Sequence, residues 1–272
     1  MTDQYLYESQ FDAQHNFPEC TMVTKSLVIA STPRCGSHLL GHTLLSTQKF
    51  GFPLEYANPV NVKKWMEIYS ETDFDAVLGK LMMSRTSPNG VFSIKTHYAH
   101  LDMFGGFQGL VSRLPNPYFV LLSRNDLLAQ AISLAIARQS GVWISGQQPK
   151  NSKLVYDAAE IEFCLKRTIL HNGAWKYLLT SHSVPFIELS FSDVKKDVKS
   201  AVQKISELMN VDVDLNELPS TPPTKRQSDT INQEWSERFL KEGANRESFI
   251  DIERALGQKS RKRQLVELLL DR

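Results

Sequence analysis

The sequence predicts an α/β fold, a parallel sheet flanked by helices, and three observations carry that prediction. Short apolar runs alternate with longer stretches in which apolar residues recur every three or four positions, which marks strands and helices taking turns around a parallel sheet. The 272 residues are 42% apolar, ample for the core of one large domain. At residues 27–41, LVIASTPRCGSHLLG, an apolar run passes through a glycine turn into a helix start.

Residues 1–25 read as a polar lead, 26–215 as the α/β core and 216–272 as a covering segment of the same single domain, 1–272. Strands are expected near 27–31, where Leu27 to Ala30 are all apolar, and near 91–95, 117–123 and 185–189. The run Tyr118 to Leu122 is the strongest of them. Helices are expected near 37–48, 60–69, 73–84, 126–139 and 153–181. Another spans 192–209, where Val194, Val198, Ala201, Ile205 and Leu208 fall on one face toward the sheet. Pro219, Pro222 and Pro223 then break the pattern, before a helix start near Asn232 and two short helical stretches up to Arg272. At about 50 residues this tail is too short to bury its own core. It is expected to fold back over the C-terminal edge of the sheet, where open α/β folds bind ligands.

Thirty-one basic and thirty acidic residues leave a net charge of +1, so no bulk attraction to nucleic acid is implied and any basic site must be local. Cys20, Cys35 and Cys164 are far apart, without the paired spacing of a zinc site or disulfide framework. The opening MTDQYLYESQFDAQHNF has no apolar leader core. No later run approaches the roughly 18 apolar residues of a membrane span. A cytoplasmic protein without a transmembrane segment is the expectation.

The turn at Pro33-Arg34-Cys35-Gly36-Ser37 reads as an anion cradle. Gly36 supplies the turn, Ser37 is expected to cap the helix and Arg34 brings a permanent charge to its mouth. The lysine of an ATP or GTP loop is missing, because Gly36 is followed by Ser37-His38. Cys35 lacks the C-terminal arginine that phosphatase chemistry needs. A second candidate is Ser123-Arg124-Asn125-Asp126 at a strand end, with Ser133 and Arg138 on the helix that follows. The plainer readings are an ordinary strand–helix connection for the first element and an Arg–Asp pair capping a helix for the second.

Taken together, the early loop and Arg124 with Ser133 resemble the two nucleotide-binding elements of sulfotransferases. A closer resemblance, covering nearly the whole chain, is to the bacterial trehalose 2-sulfotransferase family. It is carried by Leu27-Val28-Ile29-Ala30-Ser31, Arg34-x-Gly36-Ser37, Gly51-x-Pro53-x-Glu55, Pro88-Asn89-Gly90-Val91, Lys95, Gln130-Ala131-x-Ser133, Val142-Trp143, Arg226-Gln227-x-Asp229 and Glu234-Trp235. The resemblance implies a P-loop-like sheet whose covering segment closes on the cofactor site, and a donor, 3′-phosphoadenosine-5′-phosphosulfate, whose spent form is 3′,5′-bisphosphoadenosine. It implies transfer of a sulfuryl group to the hydroxyl of a sugar or glycolipid without a metal, and a homodimer.

The site residues follow from the same resemblance. Arg34, Cys35, Gly36, Ser37 and His38 would hold the 5′-phosphosulfate, and Arg124 and Ser133 the 3′-phosphate. Lys225, Arg226 and Gln227 would close over it, although the glycine of the general family's basic run is absent there. Arg34 and Lys95 would act as catalytic cations. Two bases compete. Glu55, in Gly51-Phe52-Pro53-Leu54-Glu55-Tyr56, matches the nearer family and ranks first. His97, in Lys95-Thr96-His97, looks like the histidine of general sulfotransferases. Its free pKa of about 6.5 suits a base, whereas a carboxylate near about 4.3 needs tuning. Tyr56, Trp65, Tyr98 and Trp143 are candidates for stacking on a sugar or for core packing. The rival functions are a P-loop-like kinase, disfavoured by the missing lysine, and a non-catalytic nucleotide-binding protein.

Overall fold

The computed structural model describes residues 8–18, 22–144, 147–218 and 230–242. Four strands, β1 (Lys25–Ser31), β2 (Val91–His97), β3 (Pro117–Ser123) and β4 (Phe186–Ser190), form one sheet of order β2-β1-β3-β4. Every neighbouring pair is parallel. Each strand lies where the apolar runs place it. Alternation along β1 divides the core: Val28 and Ala30 point to one face with Phe92, Ile94 and Trp65, and Leu27 and Ile29 to the other with Leu40, Val202 and Ile205.

The helices are α1 (Ser37–Ser46), α2 (Pro59–Tyr69), α3 (Phe74–Arg85), α4 (Phe107–Arg113), α5 (Leu127–Ser140), α6 (Ala158–Ser181), α7 (Phe191–Lys196), α8 (Val198–Met209) and α9 (Thr230–Glu242). The expected helix over 192–209 is two helices, because Asp197 leaves the helical conformation and turns its carboxylate onto the Ser200 amide at 3.0 Å. Its apolar face is nevertheless continuous, with Val194, Ala201 and Ile205 all buried. Helix α6 starts at Ala158 rather than 153, capped by Asp157, while Val155 pairs backbone to side chain with Gln139 at 2.9 and 2.8 Å. Apolar periodicity assigns nothing between His97 and Pro117. The structure puts a 3-10 helix, Tyr98–Phe104, and α4 there, separated by Gly105 and Gly106 at positive φ. Helix α9 packs Trp235 and Phe239 against α5 and α6. Lys225, Arg226 and Gln227, like Cys20, lie outside the described residues. Among the described residues, no helix is long and apolar enough to cross a membrane.

The chain leaves β1 for β2 on one side and returns to place β3 on the other. The crevice of an open parallel sheet lies at such a switch, beyond the strands' C-terminal ends. The loops after β1 and β3, which carry Arg34 and Arg124, border it.

The polar lead is tied down by one buried cation. Arg85 is 1% exposed, donates to the carbonyls of Gln10 (2.8 Å) and Asp12 (3.1 Å), and lies 5.4 Å from the centre of the Trp65 ring. Arg85→Ala is expected to lower stability by about 2–4 kcal/mol, since charge-assisted bonds and packing go together. Urea denaturation measures it, and an unchanged midpoint would contradict the anchoring role.

Candidate functional site

The turn after β1 is built around Gly36. It sits at φ 85° as the N-cap of α1, and a Cβ there would lie 2.0 Å from the Phe191 ring. Ser37 therefore does not cap α1. It is the first helical residue, and its amide and hydroxyl are engaged with the Cys35 thiol. That thiol is fully buried, and burial pushes its pKa up. Arg34 takes φ 67°, unusual for a non-glycine. From there it donates to Ser133 Oγ at 2.9 Å and to the Trp143 carbonyl. Buried Gln130 braces the turn from α5, bonding Thr32 Oγ1 at 3.0 Å and the Pro33 carbonyl at 2.7 Å.

The two candidate anion-binding elements are thus joined, with Ser133 accepting from the arginine of the first. Asp126 caps α5 through the Ala129 amide at 2.9 Å, while Arg124 stands 5.9 Å from the centre of the Phe191 ring. Burial and then the Arg124 charge pull Arg34 down to about 10. Two guanidinium groups within electrostatic reach of each other beside a helix N-terminus are stabilised by an anion between them, and first-turn amides have no partner within the helix.

The second half of the site comes from loop 51–55 and β2. Gly51 takes φ 63°, and a Cβ would meet the Arg85 carbonyl at 2.7 Å. The segment then runs beside β2, with the Lys95 amide donating to the Leu54 carbonyl at 2.9 Å. Glu55 is delivered next to Lys95 and His97, which share a face of β2 because they are two residues apart. Lys95 Nζ lies 2.9 Å and His97 Nε2 3.2 Å from the same oxygen, Glu55 Oε1. The other oxygen accepts from Asn58 Nδ2 at 3.2 Å. His97 Nδ1 is 3.0 Å from Ser31 Oγ, the residue opposite it in the β1–β2 register. Since a carboxylate only accepts, Nε2 carries a proton, and in the neutral ring Nδ1 accepts from Ser31. Burial alone would raise the Glu55 pKa, but Lys95, His97 and His100 hold it well below the usual carboxylate range.

Glu55 and His97, rivals on the sequence, are hydrogen-bonded partners. His38 links the halves. Burial lowers its pKa to about 2, helped by Lys95, His42 and Arg34 and opposed by Glu55, so it lies within electrostatic reach of both. Tyr56 and Trp65 belong to the core, 0% and 1% exposed, and are not available to a sugar. Tyr98 is partly exposed and packs 4.9 Å from the His171 ring. Ser31 and Gln130 stand in motifs of the sequence without a role assigned to them, and Asn58 and His100 are not singled out there. They matter through register and packing.

Residues 75–242, more than half of the chain, match the family described as Stf0 sulphotransferase. The chain is 24% identical over 260 residues to the trehalose 2-sulfotransferase of Mycobacterium tuberculosis, covering 79% of this chain and 94% of that protein. It is 23% identical over 258 residues to the trehalose 2-sulfotransferase of Mycolicibacterium smegmatis, covering 80% and 95%. Among solved structures, it resembles a sulfotransferase from Alicyclobacillus acidocaldarius with TM-score 0.48 and 14% identity, covering 83% of this chain and 94% of that one. It also resembles the sulfotransferase domain from the curacin biosynthetic pathway with TM-score 0.42 and 12% identity, covering 81% and 99%.

Proposed function

The chain belongs to the Stf0 sulphotransferase family and is a sulfotransferase; from that premise we propose that it transfers a sulfuryl group from 3′-phosphoadenosine-5′-phosphosulfate to a carbohydrate hydroxyl, with Glu55 and His97 acting as one base. The observation that carries the base assignment is the shared contact of Lys95 and His97 with Glu55 Oε1. The donor reading is supported by the paired Arg34 and Arg124 beside the N-terminus of α1. Trehalose-like sugars are the starting acceptor class, because the two mycobacterial relatives are trehalose 2-sulfotransferases by name.

The donor supplies a sulfur made electrophilic by its bond to phosphate. The amides of Cys35, Gly36 and His38 and the fork of Arg34 hold the phosphosulfate, and Arg124 with Ser133 holds the 3′-phosphate. Glu55 takes the proton of the acceptor hydroxyl as the new S–O bond forms and the bond between sulfur and the bridging oxygen breaks. Lys95 and Arg34 neutralise charge growing on that bridging oxygen. Lys95 also sets the timing. Its charge bears on Cys35, His38 and His42 as well as on Glu55, so an anion at α1 takes a share of it and raises the Glu55 pKa toward that of a working base. His97, held by Ser31, donates from Nε2 to Oε1 and so orients the carboxylate.

The experiment is a thermal shift with adenine nucleotides. At 100 times its Kd, 3′,5′-bisphosphoadenosine is expected to stabilise the chain by about 2.7 kcal/mol. ADP and ATP should bind more weakly, and Arg124→Ala should remove the advantage of the 3′-phosphate. Equal binding of ATP with magnesium would sink the donor assignment and revive a kinase.

A further inference from the structure

Resting on the sulfotransferase reading above, we propose that the acceptor is an acidic sugar, and that Arg167 with His100 and His171 forms the subsite that holds its anionic group. An acceptor must reach Glu55 from the side that α1 and Arg124 do not occupy. The segment Tyr98–Phe104 and α6 pack together beside His97 and the end of β1, next to Glu55. Helix α6 is pinned over the end of β1: Trp175 Nε1 donates to the Ser31 carbonyl at 3.0 Å, and Thr32 Oγ1 donates to Asn172 Oδ1 at 3.1 Å. The Tyr98 ring packs 4.9 Å from His171 and 5.9 Å from Trp175. His100, 5.2 Å from the His97 ring, is buried, and its Nδ1 has no hydrogen-bond partner.

One turn before His171 on the same helix, Arg167 is half-buried and makes no ion pair or hydrogen bond among the described residues. It lies close enough to His100 and His171 to depress both. Burial first, then neighbouring charges including Arg167, lower His100 to about 3 and His171 to about 4, which leaves both rings neutral. Among the described residues, Glu55 is the carboxylate that bears on His100, and it is already held by Lys95 and His97.

A partly desolvated guanidinium without a counter-charge is costly, and a planar anion matching its fork recovers that cost. The orphaned His100 nitrogen asks for one further hydrogen bond, which a sugar hydroxyl supplies. A neutral sugar has no use for the Arg167 charge. An acidic one needs it, because it must approach the ionised Glu55 and an anionic donor.

The test uses the full chain, labelled donor and matched pairs: glucose against glucuronate, and trehalose against trehalose 6-phosphate. The acidic member of at least one pair is expected to show about 10-fold higher kcat/KM, carried mainly by KM, and Arg167→Gln to collapse that ratio, with Arg167→Lys retaining part of it. Which pair responds separates a carboxylate from a phosphate ligand. Equal or better use of both neutral sugars, or a ratio unchanged in Arg167→Gln, overturns the proposal. If no sugar accepts the label, calorimetric binding of glucuronate and trehalose 6-phosphate to the bisphosphate-loaded chain decides: binding lost in Arg167→Gln supports the subsite, and no binding overturns it. Failure to bind bisphosphate sinks the donor reading instead, and the same two sugars titrated into the free chain then decide by the same criterion.

Discussion

Glu55→Gln is expected to lower kcat for sulfuryl transfer by about 10²- to 10⁴-fold, the usual worth of a positioned general base, while 3′,5′-bisphosphoadenosine still binds. The amide is nearly isosteric, so the loop can keep its place, but it cannot take a proton. It also leaves Lys95, 4% exposed, without its counter-charge. A stability loss of about 3–5 kcal/mol therefore accompanies the kinetic one, as when one member of a buried pair is removed. Retained bisphosphate affinity separates chemistry from unfolding. His97 divides the two accounts of the base. If His97 orients Glu55, His97→Gln keeps a donor for Oε1 and recovers part of what His97→Ala loses, and Glu55→Gln combined with His97→Ala is hardly worse than Glu55→Gln alone. If His97 takes the proton itself, Gln and Ala are equally inactive and Glu55→Gln retains most of the rate.

Glu55 and His97 also show where the sequence stops. Both were nameable from their motifs, 42 residues apart in the chain, but nothing in a linear pattern says that loop 51–55 runs beside β2. Strand register decides the rest. Ser31 faces His97 because β1 and β2 pair in a parallel register that sets them opposite each other, and apolar periodicity locates strands without fixing their offset. β1 and β3 were legible as largely buried apolar runs and β2 by its buried Val91, Phe92 and Ile94, whereas in β4 only Leu189 is buried. The 3-10 helix Tyr98–Phe104 and α4 were not, since each is only seven residues long and too short to show a repeat. Ser37 was misjudged as a cap for a local reason: glycine at φ 85° takes the N-cap position itself and shifts serine one place into the helix.

Acid is expected to destabilise this chain well before its carboxylates titrate. Burial is the leading cause in all four lowered histidines around the crevice: His38 falls to about 2, His100 to about 3, and His42 and His171 to about 4. In the unfolded chain each titrates near about 6.5. Between those values the unfolded state binds protons that the folded state refuses, so the stability present above about pH 6.5 is lost as pH falls. Glu55 acts with the same sign lower down, because its folded pKa is depressed and its contribution disappears as it is protonated. A histidine as buried as His100 contributes on the order of 1 kcal/mol per pH unit in that window, and the more exposed rings contribute less. Urea midpoints at pH 7.5, 6.5, 5.5 and 4.5 test this. They should be level above about 6.5 and fall steeply below it, and His100→Asn, which has no proton to take up, should flatten the slope by about one proton. A midpoint unchanged down to pH 5 would mean that these rings are open to water, and the dry wall assigned to the acceptor side would go with it.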